Sequence, residues 1–204
     1  MSMEYKYINK NAKSTIVMFH GTGGDENDLL FLGETIDPTA NLLGLRGRIN
    51  EYGMNRFFKR IKPGVFDEEN LKSESKYISL FLEHFAKLNQ LDIKDMVLIG
   101  FSNGANMIAS LIYLYGKKYS ANILLHPMLP YQDIEPVEQE DNLIMITAGT
   151  NDPLVPIAQA LELKDTLVKY HSNVEIYQYP YGHQLSEKEI TDIKRFYQKK
   201  VKKS

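Results

Sequence analysis

Short, continuous apolar runs alternate along the chain with segments whose apolar residues recur every three or four positions. Runs of four to six apolar residues predict buried strands, and the three-to-four spacing predicts amphipathic helices. Strands are expected at Glu4–Ile8, Thr15–Phe19, Leu42–Leu45, Asp95–Ile99, Ala121–Leu125, Leu143–Ala148 and Val174–Tyr179. Helices are expected at Asn27–Ile36, Leu71–Leu91, Ala105–Tyr115 and Ile157–Tyr170. Within Leu71–Leu91 the residues Ile78, Phe81, Leu82, Phe85 and Leu88 share one face. A final helix opens at Ser186-Glu187-Lys188-Glu189, whose serine and glutamate have capping-box spacing. Arg46–Asn70 carries no clear period and is punctuated by Gly47, Gly53, Pro63 and Gly64, and Tyr131–Asn142 reads as a surface loop.

Strands separated by helices imply an α/β fold with a mostly parallel central sheet flanked by helices. No repeat or linker divides the chain, so residues 1–204 are expected to form a single domain. Composition sharpens this only by exclusion. At 43% hydrophobic and 25% charged residues, it is that of an ordinary globular protein. The net charge of -2 gives no electrostatic reason to expect nucleic acid as a partner. The absence of cysteine removes disulfides, thiolate metal sites and a cysteine nucleophile. Residues 1–12 lack an apolar signal core, and Met107–Tyr115 is too short to span a bilayer. A cytoplasmic protein without stable membrane association is expected.

Candidate chemistry gathers where strands end. Gly100-Phe101-Ser102-Asn103-Gly104 fits G-x-S-x-G and lies between a predicted strand and a predicted helix, the context of a nucleophile elbow. A serine hydroxyl needs a base, and the base needs an orienting acid. Asp152 follows the Leu143–Ala148 strand and His183 follows Val174–Tyr179, so acid and base come in the chain order that this scaffold uses. Asp152 also suits a turn ahead of the Ile157 helix. His126 follows a strand too, but it precedes Asp152 and is read as lining the pocket. The His20-Gly21-Thr22-Gly23-Gly24 loop, after an early strand, suits the second half of an oxyanion hole. The Thr22 and Asn103 N–H groups are the expected donors.

In these motifs the chain resembles the α/β-hydrolase superfamily. It is similar there to the small carboxylesterase/phospholipase group that includes acyl-protein thioesterases. The matching residues are His20-Gly21-x-Gly23, Gly100-Phe101-Ser102-x-Gly104, Gly149-x-x-Asp152-x-x-Val155-Pro156 and Gly182-His183. Arg46-Gly47, Glu51-x-Gly53-Met54-x-Arg56-Phe57-Phe58-x-Arg60, Gly64-Val65-Phe66-Asp67 and Leu125-His126-Pro127-Met128-x-Pro130 are similar to bacterial MhqD-type hydrolases, which are linked to resistance to hydroquinones and catechols. The resemblance implies an α/β-hydrolase domain with no large lid and no metal or organic cofactor. Asn103 departs from the glutamine usual after the nucleophile in the thioesterase group.

The expected activity is a serine carboxylesterase acting on a small-molecule ester, short-chain or aryl, in which Ser102, Asp152 and His183 are catalytic. The pocket is expected to draw on His20, Arg56, Phe57, Phe58, His126 and Val155. The aromatics and cations of Arg46–Asp67 suit a pocket rim, and they equally suit a loop knitted by arginine–carboxylate pairs. Two other readings differ in class: a thioesterase or lysophospholipase, distinguished by activity on long acyl chains, and a binding protein for phenolic compounds, distinguished by an unreactive Ser102. Oligomeric state is not legible in the chain.

Overall fold

The computed structural model describes residues 3–202. Its elements are β1 (Glu4–Ile8), β2 (Thr15–Phe19), α1 (Leu30–Ile36), β3 (Asn41–Arg46), β4 (Ile49–Glu51), β5 (Met54–Arg56), β6 (Arg60–Lys62), β7 (Val65–Phe66), α2 (Glu68–Leu88), β8 (Met96–Phe101), α3 (Asn103–Tyr115), β9 (Ala121–Leu125), β10 (Leu143–Gly149), α4 (Ile157–Lys169), β11 (Asn173–Tyr179) and α5 (Glu187–Phe196).

The main sheet runs β1-β3-β2-β8-β9-β10-β11. β1 lies antiparallel on β3, and the other neighbours pair in parallel. Alternation along each buried strand divides the core between the two faces of the sheet. Val17, Phe19, Leu98, Leu124, Ile144 and Ile146 pack with residues of α2, α3 and α4. Ile16, Met18, Val97, Ile99, Ile123 and Met145 pack with α1 and α5. Strand order reverses direction between β2 and β8, because β3 builds outward on one side and β9 to β11 on the other. Such a switch point leaves a crevice at the carboxyl ends of the two strands. Among the described residues no helix is long and apolar enough to cross a membrane.

Two regions differ from the sequence expectation. α2 starts three residues before Leu71, because Asp67 caps it through Asn70 N–H at 3.0 Å and Glu68 and Glu69 face the positive end of the helix dipole. At its other end, Leu88 is exposed rather than on the buried face. The stretch without a period holds two small hairpins. Tyr52 and Gly53 join β4 to β5, both with positive φ (54° and 87°), the geometry of a two-residue hairpin turn. Pro63 and Gly64, the latter at φ 75°, join β6 to β7. These strands are two or three residues long, and all their residues but Arg56 are exposed or half-buried, so they leave no hydrophobic period to read.

The first turn of α3 presses against the end of β2. A Cβ added at Gly104 would stand 2.1 Å from the Phe19 carbonyl oxygen at the end of β2 and 2.7 Å from that of His20 just beyond it, both backbone atoms. Gly104→Ala is therefore expected to destabilise the protein by about 3 kcal/mol through overpacking. Urea denaturation should show a lower midpoint with an unchanged slope, and an unchanged midpoint would contradict this close approach.

Candidate active site

The crevice between β2 and β8 is where the sheet delivers its polar side chains. Ser102 sits between the end of β8 and the start of α3 with φ 51° and ψ -111°, a backbone conformation that L side chains rarely adopt. Its N–H donates to Leu125 O at 2.8 Å, which fastens the turn to the end of β9. Gly100 is required here, since a Cβ would meet Gly104 backbone atoms at 2.6 Å. His126, also at positive φ (55°), donates its N–H to Thr147 O of β10 at 3.0 Å. Thr150 N–H then donates to Tyr179 O of β11 at 2.8 Å. Each strand end is thus hydrogen-bonded to the next strand, which carries the ladder of the sheet outward beneath the site.

On this frame Ser102, His183 and Asp152 meet. Ser102 Oγ lies 2.8 Å from His183 Nε2, and His183 Nδ1 lies 2.6 Å from Asp152 Oδ2. A proton on Nδ1 given to Asp152 leaves Nε2 free to accept from the serine hydroxyl. Asp152 Oδ1 accepts from Leu154 N–H at 2.8 Å and Val155 N–H at 3.0 Å. Burial disfavours the Asp152 carboxylate. Its bonds from His183, the two backbone N–H groups and His126 outweigh this and hold its pKa below the ordinary value. Asn151 N–H donates to Tyr181 O at 3.3 Å, so the loops that carry acid and histidine are joined directly.

His126 is placed differently from the sequence expectation. It is 1% exposed and lies behind Asp152 rather than in the pocket. Its Nδ1 is 3.2 Å from Asp152 Oδ2, and its Nε2 is 3.3 Å from Glu189 Oε1. Burial opposes a charged ring, but the hydrogen bonds and charges of Glu189 and Asp152 prevail and raise its pKa. Glu189 also accepts from Thr147 Oγ1 at 2.5 Å and closes the α5 capping box with Ser186. The sequence showed Glu189 only as a cap, and nothing in its spacing pointed to His126. Ligand atoms of His126, Asp152 and His183 lie within 4.8 Å of one another, the set that a metal ion would use. Both Nδ1 atoms are already hydrogen-bonded to one carboxylate oxygen, Asp152 Oδ2, so the three side chains satisfy one another.

A cavity of about 400 Å³ opens beside Ser102. Thr22, Arg56, Asn103 and Val155 line it. Asn103 is the first residue of α3, where backbone N–H groups have no intrahelical acceptor. His20, Phe57 and Phe58 do not line the cavity. They are buried beneath it, which corrects their reading as pocket residues. His20 Nε2 accepts from Gly47 N–H at 3.0 Å while Nδ1 faces Gly21 O at 2.5 Å, and burial lowers its pKa. Phe57 packs on His20 and Phe19, with ring centroids 4.7 and 5.2 Å away, and its N–H is held by Asn103 Oδ1 at 2.7 Å. Arg60 and Phe66, from the segment read as a pocket rim, complete the wall together with Phe101, Met128 and Asn106, of which only Asn106 had no place in a sequence motif. Phe101 was legible only as the neighbour of the serine. Its ring lies 5.1 Å from that of His183.

Both readings of Arg46–Asp67 apply: all four arginines pair with carboxylates, Arg56 and Arg60 sharing Glu51, and these two also face the cavity. Arg46 pairs with Glu26 and Glu4, and Arg48 pairs with Glu74, as structural ties. The segment is also laced to the glycine-rich loop, through Gly23 N–H to Asn55 O and Asn55 Nδ2 to Gly24 O, each 2.9 Å.

Known proteins share this architecture. The family model described as phospholipase/carboxylesterase matches residues 59–201. The Bacillus subtilis hydrolase MhqD is 37% identical over 199 residues, covering 98% of this chain and 100% of that protein. A Bacillus cereus carboxylesterase structure superposes with a TM-score of 0.92 at 38% identity, covering 97% of this chain and 94% of that one. A Mesorhizobium loti carboxylesterase gives a TM-score of 0.91 at 26% identity, with 97% and 95% coverage. On these matches the chain belongs to the phospholipase/carboxylesterase family of α/β hydrolases.

Proposed function

We propose that the protein is a serine carboxylesterase that cleaves small esters through an acyl-enzyme. The observation that carries this reading is the unbroken hydrogen-bond path from Ser102 Oγ through His183 to Asp152. Ser102 Oγ attacks the ester carbonyl carbon as its proton passes to His183 Nε2. The backbone N–H groups of Thr22 and Asn103, on either side of the cavity floor, receive the oxyanion. Collapse expels the alcohol, which takes its proton from His183. Water then repeats the sequence on the acyl-enzyme and releases the acid. Asp152 holds the tautomer of His183 and supports the imidazolium that forms. Its depressed pKa keeps it ionised for this task.

The cavity size and the short hairpins at its rim support short acyl groups over lipid chains. Phe66 and Phe101 offer apolar faces for an aryl group. Together with the resemblance to MhqD-type hydrolases, they favour esters of aromatic compounds and a role in handling hydroquinones or catechols.

In this reading His126 is a positioning residue that neutralises two buried carboxylates and braces Asp152 from behind. A charge favoured in the fold stabilises it fully below the ordinary histidine pKa of about 6.5, and that contribution fades as pH rises through the raised value. The urea-measured stability gap between wild type and His126→Gln should be widest below about pH 6.5 and narrow above it. A gap independent of pH would show a ring that stays neutral. For the reaction itself, Ser102→Ala should lower kcat on 4-nitrophenyl acetate by about 10⁴-fold or more and abolish labelling by a fluorophosphonate probe. Turnover near the wild-type rate would overturn the mechanism.

A further inference from the structure

The cavity beside Ser102 is charged on one side of the ledger only. Arg56 and Arg60 line it, and no aspartate or glutamate is among its lining residues. The two guanidiniums share one carboxylate, Glu51, with Nε–Oε2 distances of 3.4 Å to each. Those contacts are long beside the 2.7–2.9 Å of a close charge-assisted bond. Arg46 and Arg48 by contrast hold carboxylates of their own at 2.5 and 3.0 Å. Arg56 is 4% exposed. Burial, together with the positive charge of Arg60, pushes its pKa below the ordinary value. A buried cation with half a counter-charge is costly, and a second anion would relieve it.

The location fits substrate rather than structure. Arg56 Nη1 donates to Thr22 Oγ1 at 2.7 Å, on the residue whose N–H is the proposed oxyanion donor. Among the described residues, Arg56 Nη2 and the terminal nitrogens of Arg60 make no hydrogen bond to protein. A second cavity of about 410 Å³ lies on the other side of Thr22, Phe101 and His183. It contains Asp28 and neither lysine nor arginine. The site thus offers two compartments of opposite character, and a guanidinium fork matches a planar carboxylate.

We propose that the Arg56–Arg60 compartment selects esters that carry a carboxylate, such as half-esters of short dicarboxylic acids or esters of hydroxylated aromatic acids. This rests on the serine-esterase reading and adds the chemical class of its substrate. The anionic group sits against Arg56 and Arg60, and the uncharged remainder of the ester extends past Phe101 toward Asp28.

Matched ester pairs test this. The acyl arm compares mono-4-nitrophenyl adipate with 4-nitrophenyl hexanoate, and the alcohol arm compares 4-acetoxybenzoate with its methyl ester. Each kcat/KM is divided by the rate of hydroxide-catalysed hydrolysis of the same ester. The charged member should be preferred about tenfold or more in at least one arm, as for one charge-assisted contact. That preference should fall in 0.5 M NaCl and approach unity in Arg60→Gln, a partly exposed position where the substitution leaves the fold intact by circular dichroism. Equal or better use of the neutral ester in both arms overturns the proposal, as does a preference that survives Arg60→Gln. If no ester is turned over, the esterase reading itself fails. Calorimetric binding of glutarate to wild type and Arg60→Gln then decides the anion subsite alone, where tighter binding to wild type supports it and equal or absent binding overturns it.

Discussion

The Asp152 carboxylate is the point on which this site depends. It is almost wholly out of water, and a carboxylate can stay ionised there only if its lone pairs are filled. Four hydrogen bonds fill them: two from the backbone of Leu154 and Val155, and one each from His183 and His126. Those partners come from the segments that follow β9, β10 and β11. A single buried charge therefore sets the relative position of three loops that are far apart in sequence. The close joining of the Gly149 and Tyr181 backbones, where a Cβ would stand 2.4 Å from the Tyr181 oxygen, has the same effect at main-chain level.

A second layer of charge compensation lies behind the first. His126 and Glu189 link Asp152 to the first turn of α5, so the last helix of the chain is coupled to the acid by side chains as well as by packing. The glycine-rich loop is held in another manner. Backbone and side-chain bonds from the β4–β7 hairpins, together with the neutral His20 ring, fix it against the elbow. Buried polar groups, held by hydrogen bonds, carry the geometry in both places.

Much of this was legible in the sequence because it rests on local patterns. The buried strands announced themselves as apolar runs, the elbow by its glycines, and the α5 cap by Ser186 and Glu189. Ser102, Asp152 and His183 could be grouped because each follows a strand and parallel strands end on the same side of a sheet. The remainder depended on orientation, which one-dimensional patterns do not carry. Phe57 and Phe58 sit among arginines and lysines, yet both turn inward because the hairpins fold over the edge of the core. His126 lies after a strand like the other site residues, but its positive φ directs it under Asp152 instead of into the cavity. The arginines of one segment divide between structure and cavity according to which acids happen to be near, and those acids are Glu4, Glu26, Glu51 and Glu74.

The staircase of backbone bonds from Ser102 to β9, His126 to β10 and Thr150 to β11 separates two kinds of change. Serine, histidine and acid take their positions from the ends of the buried strands β8, β10 and β11. One wall of the cavity comes from two hairpins of two- and three-residue strands, whose tips at Tyr52 and Gly64 reach solvent or the cavity edge. Changes confined to those tips would reshape the cavity edge, whereas changes nearer Asn55, Arg56 and Phe57 would reach the glycine-rich loop and Asn103 through their hydrogen bonds.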